Sequence, residues 1–131
     1  MARGFSTFLM FDGKAEEAMN FYVSLFKDSE VLHVERYGPD QQGKDGTVKV
    51  ARFQLGGHAM MCIDSPMKHA FTFTPSLSIF VDCEDEAELD HAFQELSEGG
   101  AALMPPGNYG FSQKFAWLND RFGVSWQLNL P

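Results

Sequence analysis

Residues 76–98, SLSIFVDCEDEAELDHAFQELSE, repeat the plan of residues 6–27, STFLMFDGKAEEAMNFYVSLFK. Each stretch opens on a short alternating run rich in apolar residues, reaches an Asp, and passes into apolar residues at helical spacing. The first strands superpose at an offset of 70: Leu9 on Ile79, Phe11 on Val81, Asp12 on Asp82. The helices superpose at 71: Ala18 on Leu89, Tyr22 on Phe93, Leu25 on Leu96. Few residues are identical, but the order and length of the elements recur over half the chain, and such a period decides architecture better than any single propensity.

Working outward, residues 5–11 are expected to form a strand and Lys14–Lys27 a helix, with Asp12-Gly13 as its cap and Glu16 and Glu17 favoured by the helix dipole. Strands follow at 30–37, 47–55 and 58–64, the last two joined by a Gly56-Gly57 hairpin turn. Pro39 to Gly46 is a polar loop, and residues 65–75 cross to the second copy. There the spacing predicts a strand over 76–82 ending at a second capping residue, Asp82. A helix over 85–98 follows, ended by Gly99-Gly100. A short strand at 101–104 is broken by Pro105-Pro106-Gly107, and strands 112–119 and 124–130 pair around Asp120–Gly123. The fold class is α+β: two β-α-β-β-β modules in a single domain, module one 5–64, a crossing segment 65–75 and module two 76–131.

The bulk properties agree. A chain of 131 residues, 44% hydrophobic with 13 Phe, can bury enough core to fold without disulfide or structural metal. Its net charge of −8 disfavours nucleic acid and anionic membrane as partners. No apolar run is long enough to span a bilayer and the N-terminus reads as a strand, so the expected location is cytoplasmic. Cys62 and Cys83 are isolated and read as free, buried thiols.

The stretch Asp120-Arg121-Phe122-Gly123-Val124-Ser125-Trp126-Gln127-Leu128 resembles the signature of the PhnB-like branch of the vicinal oxygen chelate superfamily, which includes glyoxalase I. The opening run FLMFDGKAEEAMNFYVSLF at 8–26 is similar to the same branch, often labelled after 3-demethylubiquinone-9 3-methyltransferase. The resemblance implies two modules pairing into a curved, cup-shaped mixed sheet of the glyoxalase-like kind. It also implies a homodimer, in some members with modules exchanged. In metal-dependent members, His, Glu or Gln from the first and last strands of each module hold a divalent cation.

Carried onto this chain, those positions fall on Ser76 where a His is usual, Ser6 in the first module (Thr7 if the strand shifts by one), Gln127 where a Glu is usual, and Met61 as its counterpart. Hydroxyls and a thioether are poor ligands for such cations, and one amide oxygen cannot hold a metal alone. No cofactor is therefore expected, and a divalent metal is disfavoured. Enediolate chemistry of the glyoxalase type needs that Lewis acid.

Strand alternation puts Trp126, Leu128 and Leu130 under the helices and turns Ser125, Gln127 and Asn129 to the opposite face. By the same reasoning Ser76, Ser78 and Phe80, and Ser6, Phe8 and Met10, line the cup together with Met61; the alternative is that they simply fill a core. Tyr109, Phe111 and Lys114, in a Gly-containing aromatic segment, and His69, in the crossing segment, read as a lid over its mouth. His33 can share a strand face with Glu35, His58 sits at a hairpin tip and His91 on an exposed helix face; no helical pair of histidines occurs.

The function expected is a PhnB-like protein that binds a small organic molecule in the cup without the usual metal. One rival is a superfamily lyase, isomerase or dioxygenase with a displaced metal site built from His69, His33, Gln127 and nearby carboxylates. Another is the methyltransferase of the family label, disfavoured because no glycine-rich loop follows a strand.

Overall fold

The computed structural model describes all of residues 1–131. It contains β1 (Thr7–Phe11), α1 (Ala15–Leu25), β2 (Glu30–Arg36), β3 (Val48–Leu55), β4 (His58–Asp64), β5 (Ser78–Asp82), α2 (Glu86–Ser97), β6 (Ala101–Gly107), β7 (Lys114–Asn119) and β8 (Ser125–Leu130). They form two compact units, Met1–His69 and Ala70–Pro131. Each is a four-stranded mixed sheet with one helix, in the orders β1-β4-β3-β2 and β5-β8-β7-β6. The two β-α-β-β-β modules read from the repeat are present with the same topology. No helix is long and apolar enough to cross a membrane.

In each unit the first strand pairs in parallel with the last, β1 with β4 and β5 with β8, and the remaining pairs are antiparallel. One face of each sheet carries the core. In the first unit Leu9, Phe11, Ala51, Phe53, Met60 and Cys62 are buried with Ala15, Ala18, Met19 and Tyr22 of α1. In the second, Leu118, Trp126 and Leu128 are buried with Leu89, Ala92 and Leu96 of α2. Gly56 and Gly57, at φ +55 and +86, make the left-handed pair that a two-residue hairpin requires. At Gly100 a side chain has no room, since a Cβ would lie 2.1 Å from the carbonyl oxygen of Asn119.

Two expectations about helix starts are corrected. Asp12 does not cap α1: Lys14 occupies the cap position without a side-chain bond, and the Ala15 N–H donates to Asp64 Oδ1 at 3.0 Å. The other Asp64 oxygen accepts from Val48 N at 2.9 Å, so one buried carboxylate ties the end of β4 to the starts of α1 and β3. Nor does Asp82 cap α2. Asp85 does, accepting from Glu88 N at 2.8 Å, while Glu88 reaches back to Glu84 N at 2.8 Å in the reciprocal manner of a capping box. Asp82 accepts instead from Asn129 Nδ2.

The short strand expected at 101–104 in fact continues through Pro105 and Pro106 to Gly107. Proline lacks the N–H of an interior ladder, but β6 is an edge strand, and its register shifts twice along this stretch. A second buried carboxylate, Asp120, closes the β7–β8 turn. Its Oδ1 accepts from Phe122 N and Val124 N at 2.8 and 3.0 Å, and its Oδ2 from the Trp126 indole at 2.9 Å.

Both cysteines are free and buried. Burial, aided by the Asp64 charge, pushes the Cys62 thiol from 9.0 up to about 12; burial and the Glu88 charge do the same for Cys83. A thiol that ionises at 9.0 when unfolded and near 12 when folded favours the unfolded chain once it can ionise. Stability should therefore hold up to pH 9.0 and fall as the pH is raised toward about 12. Urea titrations across that window check this, and at neutral pH both thiols should react with thiol reagents only in denaturant. Asp64→Ala leaves two buried backbone donors unpaired and should cost about 2–4 kcal/mol in urea unfolding, with Asp64→Asn, which keeps one acceptor, falling between it and the parent chain.

Candidate functional site

Each sheet has a second face, away from its helix. In the first unit the pairings set Phe8, Met61, Arg52 and His33 in one row across all four strands. Phe8 is 51% exposed, Met10 and Met61 are half-buried, and Arg52 is exposed. His33 and Glu35 do share this face, with Nε2 and Oε1 at 3.2 Å. Arg52 was not among the residues expected here. Its signal lay in the alternation of Val48–Leu55, which turns it opposite to the buried Ala51 and Phe53.

In the second unit the open face carries Ser78, Phe80 and Asp82 of β5, Ser125, Gln127 and Asn129 of β8, and Phe115, Trp117 and Asn119 of β7. A hydrogen-bonded chain runs through its middle. The Trp117 indole donates to Ser125 Oγ at 2.9 Å, Ser125 Oγ and Ser78 Oγ are 2.6 Å apart, and Gln127 Nε2 donates to Ser78 Oγ at 3.1 Å. Trp117, for which the sequence leaves the cup and a dimer contact as alternatives, links into this chain from β7.

Beside the chain lies an aromatic cluster. Phe115, only 4% exposed, receives Phe111 at 4.9 Å and Tyr109 at 6.2 Å, both edge-on, and lies 6.4 Å from Phe80. Phe80 and Phe111 keep 54% and 63% of their surface open. The Tyr109 hydroxyl is held by the Pro105 carbonyl at 2.5 Å.

Several expected residues lie elsewhere. Ser6 and Ser76 precede their strands and are exposed; the Ser76 hydroxyl is 3.0 Å from that of Thr74. Lys114 does not belong with Tyr109 and Phe111. Alternation along β7 turns it to the helix face, where its ammonium pairs with Glu86 at 2.9 Å and Asp90 at 2.7 Å, which raise its pKa. His69 is exposed and hydrogen-bonded to Ser65 Oγ at 2.9 Å, and His58 to Thr7 Oγ1 at 2.9 Å. His91 lies exposed on α2.

The match of Met61 with Gln127 is corrected by the strand registers. Leu9 pairs with Cys62 and Ile79 with Trp126, so superposing Leu9 on Ile79 brings Met61 onto Ser125 and Ile63 onto Gln127. The first-module counterpart of Gln127 is thus an aliphatic side chain.

A divalent cation needs several imidazole, carboxylate or thiolate donors converging on one point. No group of three or more His, Cys, Asp or Glu does so. On the second open face the carboxylate of Asp82 is engaged by Asn129, and the remaining polar side chains are hydroxyls, amides and an indole. These side chains do not make the divalent-cation donor set that the family resemblance implies.

The family model described as 3-demethylubiquinone-9 3-methyltransferase matches residues 3–129. The PhnB protein from Bacillus cereus is similar at 56% identity and a TM-score of 0.96, covering 98% of this chain and 100% of its own. Protein PA1353 from Pseudomonas aeruginosa is similar at 26% identity and a TM-score of 0.86 over 98% of each chain. At the level of fold, a mutant of the fosfomycin resistance protein FosX from Listeria monocytogenes, complexed with Mn(II) and 1S,2S-dihydroxypropylphosphonic acid, is similar at 10% identity and a TM-score of 0.63. It covers 100% of this chain and 94% of its own. No curated protein matches the sequence. The chain belongs to the PhnB-like 3-demethylubiquinone-9 3-methyltransferase family.

Proposed function

We propose that the chain binds a small, partly apolar organic molecule against the open faces of its sheets and uses no divalent metal at the family's ligand positions. The carrying observation is the second open face. A few fixed polar groups, Ser78, Ser125 and Gln127, sit beside half-open aromatic rings, the chemistry by which pockets hold organic ligands. FosX is complexed with Mn(II) in its structure. At the positions to which the family resemblance assigns metal ligands this chain holds Ser6, Ser76, Gln127 and, by strand register, Ile63, which supports binding over Lewis-acid chemistry.

The methyl transfer in the family's name finds no support in these residues. The β1–α1 connection, Asp12-Gly13-Lys14, has a single glycine and lacks the glycine-rich turn by which nucleotide-type donors are held. We also propose a homodimer in a cytoplasmic setting, in keeping with the exposed Phe5, Met67, Phe71 and Leu77, at 88%, 62%, 65% and 70% exposure.

Native protein purified without added metal should carry Zn, Mn, Ni and Fe far below one equivalent by elemental analysis. It should release an organic compound on denaturation, detected by mass spectrometry, and rebind it equally well with and without chelator. Near-stoichiometric metal, or binding abolished by chelator, would overturn the reading. Light scattering should give twice the 14.7 kDa chain mass.

A further inference from the structure

We propose that Ser78 and Gln127 together present a donor–acceptor edge that selects a neutral, amide-like group on an aromatic ligand. The inference rests on the organic-ligand reading above and names the class of ligand. It follows from counting hydrogens along the chain on the second open face.

The indole N–H of Trp117, the hydroxyls of Ser125 and Ser78, and one amide N–H of Gln127 bring four hydrogens to three contacts. Indole nitrogen only donates, so Trp117 must use Ser125 Oγ as its acceptor. Ser125 is 1% exposed, and an unspent buried hydroxyl is costly, so its hydrogen goes to Ser78 Oγ, 2.6 Å away. Ser78 Oγ then accepts from both Ser125 and Gln127, and its own hydrogen is the one left over. With Nε2 committed to Ser78, Gln127 keeps its carbonyl Oε1 as an acceptor that no protein group engages.

The face therefore offers one O–H donor and one carbonyl acceptor on neighbouring strands. A primary carboxamide, or a lactam with its amide held cis, answers both at once. A carboxylate has no hydrogen for Gln127 Oε1 and meets the Asp82 charge on the same face. Directly opposite Gln127 stands Phe80, 54% exposed and part of the cluster around Phe115, a platform for the ligand's ring.

The test is a two-dimensional NMR titration of the full chain with benzamide and with N,N-dimethylbenzamide, which keeps the acceptor and loses both donors. Benzamide should bind at least about 5-fold tighter, shifting the Gln127 side-chain amide and the Trp117 indole signals. In Gln127→Met the preference should fall to about 2-fold or less, whereas Ser78→Ala, which removes the donor to the carbonyl both probes share, should weaken both and leave the preference. Gln127 is half-buried rather than core, so its variant remains informative if Ser78→Ala disturbs folding. Equal affinities for the two probes in the parent chain would overturn the donor–acceptor edge and leave organic-ligand binding intact. If neither probe shifts the Phe80, Phe111 or Phe115 signals, the organic-ligand reading itself fails, and this inference with it.

Discussion

Each module depends on the parallel pairing of its first strand with its last. Phe11 meets Asp64 and Ile79 meets Trp126 across most of a module's sequence, and neither sheet has a centre until the final strand arrives. A parallel pair needs a long crossover, here a helix and two further strands. That delay has a use. The last strand brings with it the groups that close the module: Asp64, whose carboxylate fastens the starts of α1 and β3, and Trp126, whose indole is held by Asp120. The same strand carries the polar residues of the open face, so core and candidate site are assembled by one pairing event.

The repeat was legible because element order and apolar spacing are local properties. The hairpin glycines, the two helices and the alternation of β8 all read directly from neighbouring residues. What escaped was set across the sheet. Asp12 looks like a cap because it precedes a helix, yet the N–H it was expected to satisfy is taken by a carboxylate 49 positions further on. Lys114 looked like part of an aromatic segment, but strand alternation and two acids on α2 claim it. Pro105 and Pro106 looked like breakers, and whether proline breaks a strand depends on which strand is at the edge, which local sequence does not state.

The candidate site divides in the same way. That Ser125, Gln127 and Asn129 face away from the helix was legible from period two alone. That Ser125 joins Trp117 to Ser78 was not, because it needs the registers of three strands at once. The two modules have also diverged where they correspond. Ser125 and Gln127 in one match Met61 and Ile63 in the other. The second module can fix a ligand's orientation by hydrogen bonds, whereas the first offers the Phe8–Met61–Arg52–His33 row, apolar at one end and cationic in its interior. A duplicated fold has thus been given two unlike surfaces without altering the strand order.

The prolines of β6 have a consequence for the life of the chain in a crowded solution. An edge strand normally displays free N–H groups that a stray strand from another molecule can use as a template. Pro105 and Pro106 both lack an N–H, and since successive N–H groups in a strand point to opposite sides, one of them takes a donor from the outward edge; two breaks in register interrupt the ladder further. The corresponding edge of the other module, β2, instead exposes Glu30, Glu35 and Arg36, whose charges oppose close stacking. The edges therefore guard against fibril-like association by two different devices, and a substitution that lengthened or neutralised either would be felt first in solubility.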